Sequence, residues 1–124
     1  YTNDIEFMLK LFKHFDSEYL RCNFDTGNTF IAGHNPLEYL KALRPYVSHC
    51  HIKDVSEGLA AAVRGEETGI ACSEVPIGGG VNADNIKNCM AYLKETDWDG
   101  VVSLECYGAD DNIKKSVEFL RTLV

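Results

Sequence analysis

Tyr46-Val47-Ser48-His49-Cys50-His51-Ile52-Lys53 has the alternation of a β-strand, and its two faces organise the reading of the whole chain. Side chains alternate along a strand, so Ser48, Cys50 and Ile52 share one face while His49, His51 and Lys53 share the other. One face suits packing under helices. The other becomes polar toward the strand's C-terminal end. Two further stretches repeat the pattern. Glu18 to Asp25 places Leu20, Cys22 and Phe24 opposite Arg21, Asn23 and Asp25. Val101 to Cys106 places Val102, Leu104 and Cys106 opposite Val101, Ser103 and Glu105.

Helical patterns lie between these strands. Ile5, Met8, Leu9, Phe12 and Phe15 recur at a helical period after Thr2-Asn3, where Asn3 can cap and Glu6 completes a capping box. Asn35-Pro36 starts a second helix with Leu37, Leu40 and Leu43 inside. Asn82 caps a third, with Ile86, Cys89, Met90 and Leu93 on one face. Asp110 or Asp111 caps a last helix with Ile113, Val117, Leu120 and Val124 inside. Between Lys53 and Asn82, Leu59 to Val63 and Ile70 to Ile77 pair as a hairpin around residues 65–69, with Arg64 and Glu66 at its tip. Strands alternating with helices predict an α/β fold, a parallel sheet and a single domain over 1–124.

Parallel strands buried on both faces are usually apolar throughout, so the polar faces need a reason. A barrel whose C-terminal mouth holds a site supplies one. Asp25, His51 and Glu105 fall at or near the C-terminal ends of the three strands. Two carboxylates and an imidazole form a mixed oxygen and nitrogen set suited to Mn²⁺, Co²⁺, Mg²⁺ or Zn²⁺, with positions left for substrate oxygens.

The bulk properties are those of a globular chain: 45% apolar and 25% charged residues among 124. A net charge of −7 without a basic run argues against a nucleic-acid surface. No stretch has the length of a membrane span, and the opening is a polar helix start without signal-peptide character. Cys22, Cys50, Cys72, Cys89 and Cys106 contain no CxxC pair and are expected to be reduced, mostly buried thiols of a cytoplasmic protein.

Four segments carry a family resemblance. Asn23-Phe24-Asp25-Thr26-Gly27-Asn28, His49-Cys50-His51-Ile52-Lys53-Asp54, Ile77-Gly78-Gly79-Gly80-Val81-Asn82 and Gly100-Val101-Val102-Ser103-Leu104-Glu105 resemble, in order, the motifs of the xylose isomerase-like superfamily. That group holds sugar epimerases, inosose dehydratases and endonuclease IV. The resemblance implies a partial (β/α)8 TIM barrel, with these strands as the sixth to eighth and the hairpin-like insert after the seventh. It places Asp25, His51 and Glu105 on three of the family's four metal ligands. The fourth, a glutamate on the fifth strand, falls before Tyr1. Glu105 becomes a candidate catalytic base. Asn28, His49 and Lys53 become candidate substrate contacts, although Asn28 stands where many epimerases have histidine.

The implied chemistry is metal-dependent isomerisation or epimerisation of a sugar or cyclitol through an enediolate. An inosose dehydratase-like or keto-sugar lyase reaction shares the same first step. A non-catalytic or partner-dependent half-barrel is the alternative from another class, since three strands close no barrel. Covering the unpaired edges calls for a homo-oligomer or the N-terminal half of the barrel, and metal binding without the fourth ligand is expected to be weak or absent. An endonuclease IV-like reading is disfavoured by the acidic charge and by the lack of an Asp-x-His pair after Asp54. The Gly78–Gly80 run is a turn or, alternatively, a phosphate-facing loop at a helix start.

Overall fold

In the computed structural model, residues 4–65 and 72–124 are described. Three parallel strands, β1 (Cys22–Asp25), β2 (Val47–Ile52) and β3 (Val101–Leu104), form one sheet in the order β1-β2-β3. Six α-helices accompany them among the described residues: α1 (Ile5–Phe15), α2 (Thr26–Ile31), α3 (Pro36–Leu43), α4 (Glu57–Val63), α5 (Ala83–Glu95) and α6 (Asp110–Arg121). Three parallel strands with helices are what a partial TIM barrel requires. The strands are shorter than the sequence pattern suggested. Residues 18–21 precede β1, and Glu105 and Cys106 follow β3.

The apolar faces of β1 and β2 build the core, whereas Val102 on the matching face of β3 is exposed. Cys22 and Phe24 of β1, and Cys50 and Ile52 of β2, are buried with Met8 and Phe12 of α1, Leu40 and Leu43 of α3, and the α5 stripe Ile86, Cys89, Met90 and Leu93. Ser48 is an exception to the predicted alternation. The β1–β2 register shifts between Cys22 and Asn23, so that Cys22 pairs with Val47 and Asn23 with His49. Val47 joins the core, and Ser48 is exposed. Trp98 fixes this irregular end by donating its indole N–H to the Val47 carbonyl at 3.0 Å.

Several local expectations are corrected. Asn3 lies outside the described residues, and the residue that caps α1 is Asp4, whose carboxylate accepts the Phe7 N–H at 3.0 Å. Leu59 to Val63 is no hairpin strand. It belongs to α4, capped by Ser56 through the Leu59 N–H, and the Ala60-Ala61-Ala62 run favours helix. Of its supposed partner, residues 70 and 71 lie outside the described residues, and 72–77 contains no strand. Glu66 also lies outside them, whereas Arg64 ends α4 with its guanidinium 4.5 Å from the Phe30 ring centroid. Helix α2 was not anticipated at all. At α6 the N-cap position is Ala109, and neither Asp110 nor Asp111 caps; both occupy the first turn. The inner face of α6 is also rotated from the expected one. Ser116 is buried and Phe119, Leu120 and Leu123 pack on the core, while Ile113, Val117 and Val124 are exposed.

Among the described residues, no strand pairs with the outer edge of β1 or of β3. Val101 and Val102 of β3 are correspondingly exposed. No described helix is long and apolar enough to cross a membrane. All five cysteines are free, with Cys22, Cys50 and Cys89 buried, Cys106 half-buried and Cys72 exposed.

Candidate metal centre

Asp25 closes β1 and simultaneously starts α2. Its Oδ1 accepts the Asn28 N–H at 2.8 Å, which makes it the N-cap of that helix. The cap commits Oδ1 and leaves Oδ2 turned toward the polar face of the sheet. Directly opposite in the register stands His51. Its Nδ1 lies 4.0 Å from Asp25 Oδ2 and 3.3 Å from Glu105 Oε2. Glu105 follows β3 and is held there by its own N–H, bonded to the Ile52 carbonyl at 2.9 Å. One ligand atom from each of Asp25, His51 and Glu105 lies within 4.8 Å of the others.

These residues fit a divalent metal. Donors around an ion with bonds of about 2.1 Å are separated by about 3–4 Å, close to the spacing seen here. Asp25 Oδ2 is buried and accepts no hydrogen bond, so its lone pairs are open to a cation. The mixed carboxylate and imidazole set matches Mn²⁺, Co²⁺, Zn²⁺ or Mg²⁺.

Lys53 completes the cluster. It is 3% exposed. Its Nζ donates to Glu105 Oε1 at 2.6 Å and to Asn28 Oδ1 at 3.1 Å. It reaches Asp25 Oδ2 at 3.5 Å, as an ion pair without hydrogen-bond geometry. Burial pushes the Asp25 carboxyl above its ordinary range, partly opposed by the Asn28 N–H and the Lys53 charge, while the Glu105 charge adds to the rise. Burial alone would lower Lys53. The hydrogen bond to Glu105 and the charges of Asp25 and Glu105 outweigh it and hold the ammonium above its usual value. The lysine therefore pairs with Asp25 and Glu105, and Asp54 is engaged elsewhere.

The structure brings Asp25, His51, Glu105, Lys53 and Asn28 together at one end of the sheet. His49 sits one pleat lower. Its Nε2 bonds to Ser103 Oγ at 2.7 Å, and its ring meets that of His51 edge-on at 4.9 Å. Ser103, opposite His51 in the register, was not singled out from the sequence.

Thr26 and Asn82 were also missed as site residues. Thr26 Oγ1 accepts the Lys53 N–H at 3.0 Å and donates to the Lys53 carbonyl at 2.9 Å. Asn82 occupies the N-cap position of α5 but makes no side-chain cap bond. Its amide instead donates to the carbonyls of Thr26 and Lys53 at 3.0 and 3.3 Å. Both side chains are fully buried and tie the ends of β1 and β2 together below the charged cluster. The Gly78–Gly80 run faces no phosphate, because the N–H groups of Gly78, Gly80 and Asn82 all donate to the Asp54 carboxylate.

Known proteins agree with this architecture. Residues 1–123 match the family described as the xylose isomerase-like TIM barrel. Two inosose dehydratases of Clostridium botulinum, from strains Eklund 17B and Alaska E43, are each 26% identical over 114 residues, covering 89% of this chain and 38% of the relative. The chain thus spans less than half the length of these curated relatives. Among solved structures, the probable 3-DHS dehydratase AsbF of Bacillus anthracis superposes with a TM-score of 0.68 at 23% identity, covering 98% of this chain and 44% of that one. A D-tagatose 3-epimerase-like protein gives 0.68 at 25% identity, covering 98% and 42%. Three parallel strands, their helices and the match along the sequence lead to one assignment: the chain belongs to the xylose isomerase-like TIM-barrel family.

Proposed function

We propose that this chain supplies one part of a metal-centred site that removes a proton next to the carbonyl of a sugar or cyclitol. The observation that carries the reading is the convergence of Asp25 Oδ2, His51 Nδ1 and Glu105 Oε2, with the Asp25 oxygen buried and accepting no hydrogen bond. A divalent ion held there would polarise a substrate carbonyl and acidify the adjacent C–H. Glu105 would take that proton, a role supported by its carboxylate lying beside His51. Lys53, held between Glu105 and Asn28, supplies a fixed positive charge for oxygen atoms that become anionic. Asn28 offers a neutral contact to a substrate hydroxyl.

The enediolate formed in this way has two fates. Reprotonation gives an isomer or epimer. Loss of a β-hydroxyl gives a dehydration product. One observation favours dehydration: the curated relatives are inosose dehydratases. Sugar or cyclitol substrates of either kind fit the family.

The test is deuterium exchange in D₂O, with Mn²⁺ and a keto-cyclitol, followed by NMR. A complete barrel containing these residues should exchange the proton beside the carbonyl. Glu105→Gln should slow this by about 100-fold or more. Unchanged exchange in Glu105→Gln would remove the glutamate from the mechanism. The 124-residue chain alone should exchange nothing, because three strands cannot enclose a substrate. Turnover by the isolated chain would overturn the need for the rest of the barrel.

A further inference from the structure

Asp25 has a single oxygen available to a metal. Oδ1 is committed to the Asn28 N–H that starts α2. The remaining oxygen, Oδ2, is the one that Lys53 Nζ approaches at 3.5 Å. Glu105 is differently placed. It can divide its two oxygens, with Oε1 on the lysine at 2.6 Å and Oε2 toward His51. A metal bonded to Asp25 Oδ2 at about 2.1 Å would therefore lie within about 6 Å of the ammonium, and like charges that close in a half-buried site repel strongly. The lysine has little room to withdraw. Its side chain is almost wholly buried, and its stem lies where a Cβ on Gly27 would stand, 2.7 Å from Lys53 Cγ and Cδ.

From this geometry we propose that Lys53 is a built-in counterion that competes with the divalent metal for the Asp25 and Glu105 carboxylates. Resting on the metal-site reading, the inference adds that the site has two cationic states. In one, the ammonium neutralises the carboxylates and keeps the empty cluster compact. In the other, the metal takes Asp25 Oδ2 and the ammonium retains only Glu105 Oε1 and Asn28. Lys53 thereby sets a threshold on metal affinity and favours an ion whose charge density can displace it. The opposing effect is preorganisation, since the same lysine holds Glu105 in place. Repulsion should dominate, because Glu105 is also positioned by its own backbone bond to Ile52.

The test is Mn²⁺ titration of a complete barrel containing these residues by isothermal calorimetry, with electron paramagnetic resonance to count free Mn²⁺, and with far-UV circular dichroism to confirm folding. Lys53→Met keeps the apolar stem and removes the charge. It should bind Mn²⁺ about ten-fold or more tightly than the wild type. Lys53→Gln also removes the charge and should shift affinity in the same direction. Should Lys53→Met fail to fold, the Lys53→Gln titration decides alone.

Equal or weaker binding in a folded Lys53→Met would overturn the competition and assign Lys53 to holding Glu105. The metal-site reading fails separately. If wild type and Lys53→Met both bind in a manner indifferent to His51→Ala, or if neither binds at all, both ideas fall. If the wild type binds through His51 but Lys53→Met gains nothing, only the competition falls.

Discussion

Asp54 and Gly80 are joined by a hydrogen bond from the Gly80 N–H to Asp54 Oδ2 at 2.9 Å, and a Cβ on Gly80 would stand 2.5 Å from Asp54 Oδ1. The same carboxylate accepts the N–H groups of Val55, Gly78 and Asn82 at 2.8–2.9 Å. Four donors fill a buried acceptor, which has no remaining capacity for a ligand. The residue next to Lys53, a candidate substrate contact, thus shapes the loop that leads into α5.

Asp54→Asn should therefore be costly although it is nearly isosteric. The amide would present its own N–H groups to two of the four donors and leave them unsatisfied. The expected loss is about 2–4 kcal/mol, seen as a lower urea midpoint. A change within about 0.5 kcal/mol would show that the loop does not depend on this carboxylate.

The thiols give a pH and accessibility test. Burial pushes Cys22 up to about 11 from its ordinary 9.0. Burial likewise lifts Cys50 and Cys89 to about 12, with charge on neighbouring thiols adding to it. Each folded-state value lies above the unfolded one, so the folded state holds its protons longer. Stability from these groups is complete below pH 9 and is lost as pH rises through about 11–12. Alkaline urea titrations should show midpoints falling across that window, and a Cys89→Ala variant should fall less steeply. At pH 8 a thiol reagent should label Cys72 rapidly and Cys106 more slowly, reaching the three buried thiols only on unfolding. Rapid modification of all five in the folded chain would contradict the core described.

Sequence periodicity revealed the sheet faces and the α5 stripe because both depend on burial repeating at a fixed interval. It also placed Asp25, His51 and Glu105 together, since strand ends of a parallel sheet share one edge. What it missed had other causes. Thr26-Gly27-Asn28-Thr29-Phe30-Ile31 has poor helix propensity, and α2 forms because Asp25 caps it and because Thr29 and Ile31 are buried. Ser56 before an alanine run was a legible helix start that β-like spacing of apolar residues obscured. The α6 stripe was misassigned because Ser116, a polar residue, occupies its most buried position. There it accepts the Ile77 N–H at 2.8 Å and donates to the Asn112 carbonyl at 2.7 Å. The roles of Thr26 and Asn82 depend on contacts with Lys53 across 27 and 29 residues, which local pattern does not encode.

The claim on which the functional account rests is that His51 is a metal ligand shared with Asp25 and Glu105. Mn²⁺ binding to a complete barrel containing these residues and to its His51→Ala variant, measured by electron paramagnetic resonance at matched protein concentration, tests it most directly. The account predicts that the variant, still folded by circular dichroism, binds more than about 100-fold less tightly. Equal Mn²⁺ affinity in the two proteins would contradict it.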